Sequence, residues 1–464
     1  MSELSLVETP IPGLMLITLP VHGDGRGWFK ENWQREKMVA LGLPDFGPVQ
    51  NNISYNATAG TTRGIHAEPW DKFVTVATGR VFGAWVDLRE GPGFGTVFTT
   101  EIDEAVAIFV PRGVGNAFQT LEKDTVYNYL VNDHWSPDAV DQYVLVNLAD
   151  ETLDIQWPLP LGQAEVSAKD RDHPRLTAVR PVPPRTTLVL GADGQLGRAL
   201  RVMLPDAEFS TRRDFDLADE ASYDRDWSRY SVIINAAAYT DVDGAETTDG
   251  RRRAWAINAV APARLAQIAA AHRITLVHVS TDYVFDGVEN SYLDDAPPSP
   301  LGVYGQSKAA GDLAVCTAAP QHYLVRTSWV IGEGRNFVRT MAALAARGVS
   351  PTVVNDQIGR PTFAGDLAAA ILHLIDSSAA FGTYNMSNAG TPLSWADLAR
   401  VVYQRAGADP GQVVDVTAKE YFLNQDAAPR PAKSVLDLTK LEASGFQPRD
   451  WADALAGYPV RATD

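Results

Sequence analysis

The chain has 464 residues, 45% of them hydrophobic and 21% charged, with a formal net charge of −17 and a single cysteine, Cys316. That length allows about two or three domains, the acidic balance argues against nucleic acid or an anionic membrane as a partner, and one cysteine excludes both an intrachain disulfide and a cysteine metal cluster. The start, MSELSLVETPIPG, has neither the basic nor the apolar run of a signal peptide, and no stretch reaches the roughly 18 apolar residues of a membrane span, so a cytoplasmic protein is expected.

In chain order, the first elements are strand-like. GLMLITLPV, KFVTVATGRVFGAWVDLR, TVFTTEI, AVAIFVPRGVGNAFQTL and TVYNYLVND are short β-branched and aromatic runs punctuated by Gly, Pro, Asp and Asn. The pattern predicts a β-sandwich or small barrel. NWQREKMVAL is the main helical signal there. RDHPRLTAVRPVPPR follows, with four prolines that remove donors and favour extended backbone, and it suits a linker over 177–185. From residue 186 strands (TTLVLG, SVIINAAAY, TLVHVST, HYLVRTSWV) alternate with helices (GQLGRALRVML, RRRAWAINAVAPARLAQIAAAH, QSKAAGDLAVCTAA). Alternation of this kind implies a doubly wound parallel sheet. The expected organisation is an all-β domain over 1–176, the linker, and an α/β domain over 186–464.

GADGQLG puts Gly191, Gly194 and Gly197 between a strand and a helix, with Gln195 and Leu196 opening that helix. Such a turn lets a pyrophosphate approach the backbone at a helix N-terminus. STDYVFDG places Thr281 at the carboxyl end of a strand, where ligands bind on such sheets, and YGQSK places Tyr304 and Lys308 four residues apart on one helical face. A lone Tyr-x-x-x-Lys reads as an exposed helix pair. Together with the glycine loop and Thr281 it reads as a proton-transfer site, in which Lys308 is expected to lower the Tyr304 pKa.

These residues, with INAAAYTDVDGAE, VYGQSKAAGD, VRTSWVIG, NDQIGRPTFAGDLA and APRPAKSVLDLTKL, resemble the dTDP-4-dehydrorhamnose reductases among the extended short-chain dehydrogenase/reductases. The resemblance implies a Rossmann fold with a small substrate-binding lobe. It implies Tyr304 as proton donor, Lys308 on the nicotinamide ribose and Thr281 on the sugar carbonyl. Ala236, Ala237 and Tyr239 would line the cofactor cleft, and Asp216 and Leu217 would flank the adenine. Thr240, Val242, Asp282, Tyr283 and Trp329 would contact the sugar nucleotide. Thr211, Arg212 and Arg213 after the second strand favour NADPH over NADH, since guanidinium groups suit a 2′-phosphate, although solvated arginines would read the same way. Family members that bind magnesium use a carboxylate in the first helix. Arg198 and Ala199 stand there instead, which puts that magnesium site in doubt.

In the first domain His66 lies between Arg63 and Lys72. A lone histidine is more often a packed or surface residue. The domain's histidines, His22, His66, His134 and His173, are widely separated in sequence, so no metal site is expected. GDGRGWFKENW, VQNNIS, RGIH, VDLREGPGFGTV, VPRGVGNAFQTL, YNYLVNDHWSP and VSAKDRDHP resemble the dTDP-4-dehydrorhamnose 3,5-epimerases. That resemblance implies a metal-free cupin-type barrel or jelly roll. His66 would be the base, Asp170 its orienting carboxylate, Tyr129 the acid on the opposite face and Lys72 the partner of an enolate oxygen. Arg26, Phe29, Glu31, Gln50, Asn52 and Arg63 would surround the nucleotide, some from the partner of a strand-exchanging homodimer. Asn116 stands where the family usually has a second histidine, Trp135 where tyrosine is frequent, and Val140 near a usual acid, changes that bear on the sugar pocket. Joined, the halves imply epimerisation and then reduction of a dTDP-sugar. Open beside this are a degenerate or differently selective epimerase half that makes another 6-deoxyhexose, and a non-catalytic role for the reductase half.

Overall fold

The computed structural model describes residues 3–135, 140, 142–423 and 425–459. The chain divides into two units, 1–184 and 185–464.

The first unit has strands β1 (Ser5–Glu8), β2 (Met15–Thr18), β3 (Val21–Asp24), β4 (Gly27–Lys30), β5 (Gln50–Asn56), β6 (Thr61–Ala67), β7 (Lys72–Thr78), β8 (Val81–Asp87), β9 (Val97–Ile102), β10 (Val106–Val110), β11 (Val114–Thr120), β12 (Thr125–Val131), β13 (Val144–Leu145) and β14 (Glu165–Val166), with short helices α1 (Arg35–Ala40) and α2 (Ala168–Arg171). One sheet runs β1-β2-β10-β7-β12-β5 and the other β13-β6-β11-β8-β9, with β14 added in parallel to β6. Val74, Val76, Trp85, Ile108, Phe118 and Tyr127 meet in one core cluster. A second cluster joins Ile65, Val86 and Ala117 of β6, β8 and β11 to Val146, Leu148 and Leu153, and a third joins Phe73 and Phe109 to Met38, Leu43 and Phe46. These central strands are therefore apolar on successive residues, not on alternate ones. The fold is the expected cupin-type all-β domain. The proline-rich stretch is held at Val182, whose amide donates to Leu88 O at 2.7 Å and whose carbonyl accepts from Glu90 N at 2.9 Å.

The second unit has β15 (Thr186–Leu190), α3 (Gln195–Met203), β16 (Glu208–Ser210), β17 (Tyr230–Asn235), α4 (Thr248–Trp255), α5 (Ala261–His272), β18 (Thr275–Thr281), α6 (Val303–Ala318) and β19 (His322–Thr327). The sheet order is β16-β15-β17-β18-β19 and then Gly382–Met386, every pair parallel. α3 and the helix Ala364–Asp376 pack on one face, and α5 and α6 on the other. The stretch expected as one helix over 251–272 is interrupted by a π turn at Ala256–Val260. Pro262 follows within four residues, and its missing N–H breaks the regular ladder there. A smaller lobe holds the helices Phe337–Ala346 and Trp395–Arg405 around a separate core that includes Val338, Met341, Ala399 and Val402. This is the Rossmann-type α/β unit with its lobe.

Candidate functional site

In the first unit a pocket of about 500 Å³ is lined by Arg63, His66, Glu68, Lys72, Asn116, Tyr127, Tyr129 and Asp170 among others. His66 comes from one sheet, and Lys72 and Tyr129 come from the other. Arg63 and His66, three residues apart, would face opposite ways on a regular strand. The β6–β11 register shifts between Asn116 and Phe118, and Gly64 sits at φ +123° with a would-be Cβ 2.5 Å from the Ala117 Cβ. That irregularity lets both side chains line the pocket.

β14 pairs with the start of β6, so α2 arrives beside His66. Ser167 caps α2 by accepting from Asp170 N at 3.0 Å, and Asp170 Oδ1 lies 3.1 Å from His66 Nε2. Burial raises the Asp170 pKa, but the His66 hydrogen bond and charge and the Ser167 hydrogen bond outweigh it and hold the carboxyl below the ordinary range. Burial, with Glu68 nearby, pushes Tyr129 up to about 12, so its hydroxyl stays protonated at neutral pH. Lys72 Nζ is 2.9 Å from Glu68 Oε2 and lies 5.8 Å from the Tyr129 ring centroid. Sequence reading did not find Glu68, whose role depends on this tertiary pairing. Asn116 Oδ1 accepts from the Tyr127 hydroxyl at 3.0 Å. His173, read as remote from His66, has its ring 5.3 Å away.

The other expected nucleotide residues do not line this pocket. Arg26 pairs with Asp24 at 2.5 Å, Glu31 with Lys37 at 2.8 Å, and Phe29 is 70% exposed. Gln50 donates to Asn52 Oδ1 at 2.9 Å and accepts from Trp135 N at 3.1 Å. Asn52 stands opposite Tyr129 on the neighbouring strand. Val140 is exposed, and residues 136–139, which include the last two of the YNYLVNDHWSP motif, lie outside the described residues.

In the second unit a cleft of about 880 Å³ lies at the carboxyl ends of the strands. It gathers Gly191, Gly194, Gln195, Leu196, Arg212, Asp216, Leu217, Ala236, Ala237 and Tyr239, and with them Thr240, Val242, Thr281, Asp282, Tyr283, Tyr304, Lys308 and Trp329. Gly191 adopts φ +84°, and a Cβ there would sit 2.8 Å from Ala237 N. Gly197 packs one turn into α3 against the Gly191 carbonyl. Trp329 stacks on Trp395 at 3.7 Å. Arg212 Nε lies 3.3 Å from Asp216 Oδ2, Thr211 Oγ1 donates to Asp214, and Arg213 is exposed. Arg198 bonds the carbonyls of Asp193 and Glu333.

Burial pushes the Tyr304 hydroxyl above its ordinary range, and a Thr281 hydrogen bond counters this in part. Burial lowers Lys308 to about 8, and Asp312 counters in part. Lys308 Nζ donates to Val279 O at 2.8 Å and lies 3.2 Å from His278 Nε2. Desolvation is the largest influence on that hydroxyl, and the Lys308 ammonium is held by His278 and Val279. Two buried residues outside the sequence reading support this site. His278 Nδ1 is 3.0 Å from Asn235 Nδ2. Asn258, in the π turn, accepts from Tyr239 N at 2.9 Å and donates to Tyr239 O at 3.0 Å and Ser307 Oγ at 3.1 Å. An asparagine inside an alanine-rich helix just before Pro262 was the available signal.

Two family models match the chain, one described as dTDP-4-dehydrorhamnose 3,5-epimerase over residues 8–178 and one as RmlD substrate binding domain over residues 185–461. The first half is similar to a Streptococcus pyogenes protein called RmlC homolog, 51% identical over 180 residues, which are 38% of this chain and 90% of that protein. The second is similar to a dTDP-4-dehydrorhamnose reductase of Mycolicibacterium smegmatis, 39% identical over 277 residues, which are 58% of this chain and 83% of that protein. It is also similar to the crystal structure of dTDP-4-dehydrorhamnose reductase from Bacillus anthracis in complex with NADP, at 33% identity and TM-score 0.54, covering 59% of this chain and 98% of that one.

Proposed function

The chain belongs to the dTDP-4-dehydrorhamnose 3,5-epimerase family through its first unit and to the RmlD substrate-binding family through its second, and from this premise we propose how one polypeptide carries out two consecutive steps. It is a bifunctional isomerase and oxidoreductase. The first half epimerises dTDP-4-dehydro-6-deoxy-D-glucose at C3 and C5 to dTDP-4-dehydro-L-rhamnose. The second reduces the 4-keto group with NAD(P)H to dTDP-L-rhamnose, and reduction draws the epimerisation forward. The observation that carries this reading is that each half gathers a full set of proton-transfer groups in its own cavity.

In the first half an ionised Asp170 accepts only, so the proton on the bonded His66 nitrogen is on Nε2 and Nδ1 keeps its lone pair. Nδ1 takes a proton from the carbon beside the ketone. Tyr129, on the facing sheet, returns one to the opposite face. Lys72, paired with Glu68 before substrate arrives, stabilises the enolate oxygen. Arg63 and Asn116 contact the sugar nucleotide.

In the second half the strand-to-helix turn at Gly191, Gly194 and Gly197 fits a dinucleotide, since a Cβ at Gly191 would fill the approach to the backbone. α3 would face its pyrophosphate, and Arg212, released from Asp216, its 2′-phosphate, which makes NADPH the preferred cofactor. When bound, the nicotinamide supplies hydride to C4. Thr281 orients the carbonyl and Tyr304 gives the forming alkoxide a proton. Lys308 is placed to hold the ribose. Thr240, Val242, Asp282, Tyr283 and Trp329 hold the sugar nucleotide.

A homodimer through the first unit accounts for the residues that miss its pocket. Phe29 is 70% exposed, and on the edge strand β5 Ile53 is 68% and Tyr55 60% exposed. Strand exchange there would carry Arg26, Phe29 and Glu31 to a partner's nucleotide. No helix among the described residues is long and apolar enough to cross a membrane, and a cytoplasmic enzyme suits the single cysteine. Incubation with dTDP-4-dehydro-6-deoxyglucose in deuterated water without cofactor tests the first step. Deuterium should enter at C3 and C5, and NADPH added afterwards should be oxidised. No incorporation would sink the epimerase assignment.

A further inference from the structure

His173 is 7% exposed, and neither of its ring nitrogens has a hydrogen-bond partner. Its only close polar neighbours among the described residues are loosely placed: the Val146 backbone acts on the ring without ideal geometry, and Asp170 Oδ1 is 3.8 Å from Nε2. A buried imidazole is ordinarily well hydrogen-bonded, so these loose contacts leave its ring nitrogens under-satisfied. His173 Nε2 is 3.8 Å from Asp170 Oδ1, the atom that His66 Nε2 approaches to 3.1 Å. One nitrogen or oxygen from each of His66, Asp170 and His173 lies within 4.8 Å of the others. Around a tetrahedral zinc ion, with bonds of about 2.0–2.1 Å, neighbouring ligand atoms stand about 3.4 Å apart. The separations of 3.1 Å and 3.8 Å fall on either side of that spacing. Two imidazoles and a carboxylate are a donor set of the zinc class.

We infer that His66, Asp170 and His173 form a site for a divalent transition metal of the zinc class, and that its occupation turns the epimerase half off. The switch rests on the reading of His66 as base; the binding does not. An ion on His66 Nε2 takes the place of the proton there. The ring then carries its proton on Nδ1, so no net proton is released and no electron moves. An Nδ1–H cannot accept a proton from the sugar. The three ligands all lie in the first unit, so the reductase half keeps working.

The test uses the full chain, stripped with chelator and dialysed against zinc sulfate. About one zinc per chain is expected. Deuterium exchange at C3 and C5 should fall in step with occupancy and return with EDTA. NADPH-dependent reduction of the already epimerised ketone should hold its rate. His173→Gln should keep zinc-free exchange within about threefold and bind zinc at least about tenfold more weakly. Equal zinc binding by wild type and H173Q, or none by wild type, overturns the site while leaving His66 as base intact. Zinc lost in H173Q but harmless to exchange in wild type overturns the switch, and exchange by zinc-free His66→Asn tells separately whether the base assignment falls. If H173Q does not fold, cobalt(II) added to wild type decides. Selective broadening of the His66 and His173 ring signals supports the site, and unbroadened rings overturn it.

Discussion

The two halves handle protons at a ketone with opposite architectures. In the barrel the groups proposed to act, His66, Lys72, Tyr129 and Asp170, are scattered along the chain, and the fold brings them to one pocket. In the α/β unit Thr281, Tyr304 and Lys308 lie on one strand end and one helix face. The difference follows the chemistry. Epimerisation removes a proton from one face of a carbon and returns it on the other, which needs donors on both walls of a pocket. Reduction adds a proton to one oxygen while a bound cofactor serves the carbon, which a single sheet edge can provide.

Separate machinery means that each activity should fall alone. The largest effects are expected from Tyr304→Phe, which should cut reduction roughly 10²–10⁴-fold and leave exchange at C3 and C5 intact, and from His66→Asn, which should do the reverse. Loss of both activities in either variant would break the comparison. Asp170→Asn should lower exchange by about 10–100-fold, since the histidine loses its orienting acceptor. Its depressed pKa also gives a sign for stability. The contribution of Asp170 is fully present above the ordinary value of 3.8 and is lost as pH falls through the lower folded value, so melting of wild type and D170N should converge only in that acid range. A smaller effect is expected at Lys308. With its pKa near 8, kcat for reduction should decline as pH rises past that value, while exchange does not. A flat reduction profile to pH 10 would show that the lysine charge is not used. The cost of burying that charge is present below about pH 8 and fades toward 10.5, so stability from this group rises with pH over that interval. The smallest effect is expected from Arg212→Ala, which should raise KM for NADPH about tenfold with little change for NADH.

The two halves were also unequally legible. Apolar runs, turn residues and the switch from strands to alternating strands and helices carry both folds in the sequence. The second site is legible because its residues lie in short motifs at strand and helix ends, such as Tyr304 and Lys308 one helical turn apart. The first site is not, because His66 and Asp170 are 104 residues apart and meet through the parallel pairing of β14 on β6. Resemblance to a family, not spacing, pointed to it. The same pairing brings His173 back to His66, which distance along the chain had argued against. The Glu68–Lys72 pair, and His278 beneath Lys308, exist only once the elements pack. Desolvation of Tyr304 is likewise a property of the folded interior.

The most direct measurement is a single reaction in deuterated water containing the purified chain, dTDP-4-dehydro-6-deoxyglucose and NADPH, with the product resolved by NMR. dTDP-L-rhamnose deuterated at C3 and C5 is the expected product. An unlabelled sugar reduced at C4 alone would contradict a two-step enzyme and remove His66, Tyr129 and Asp170 from its mechanism.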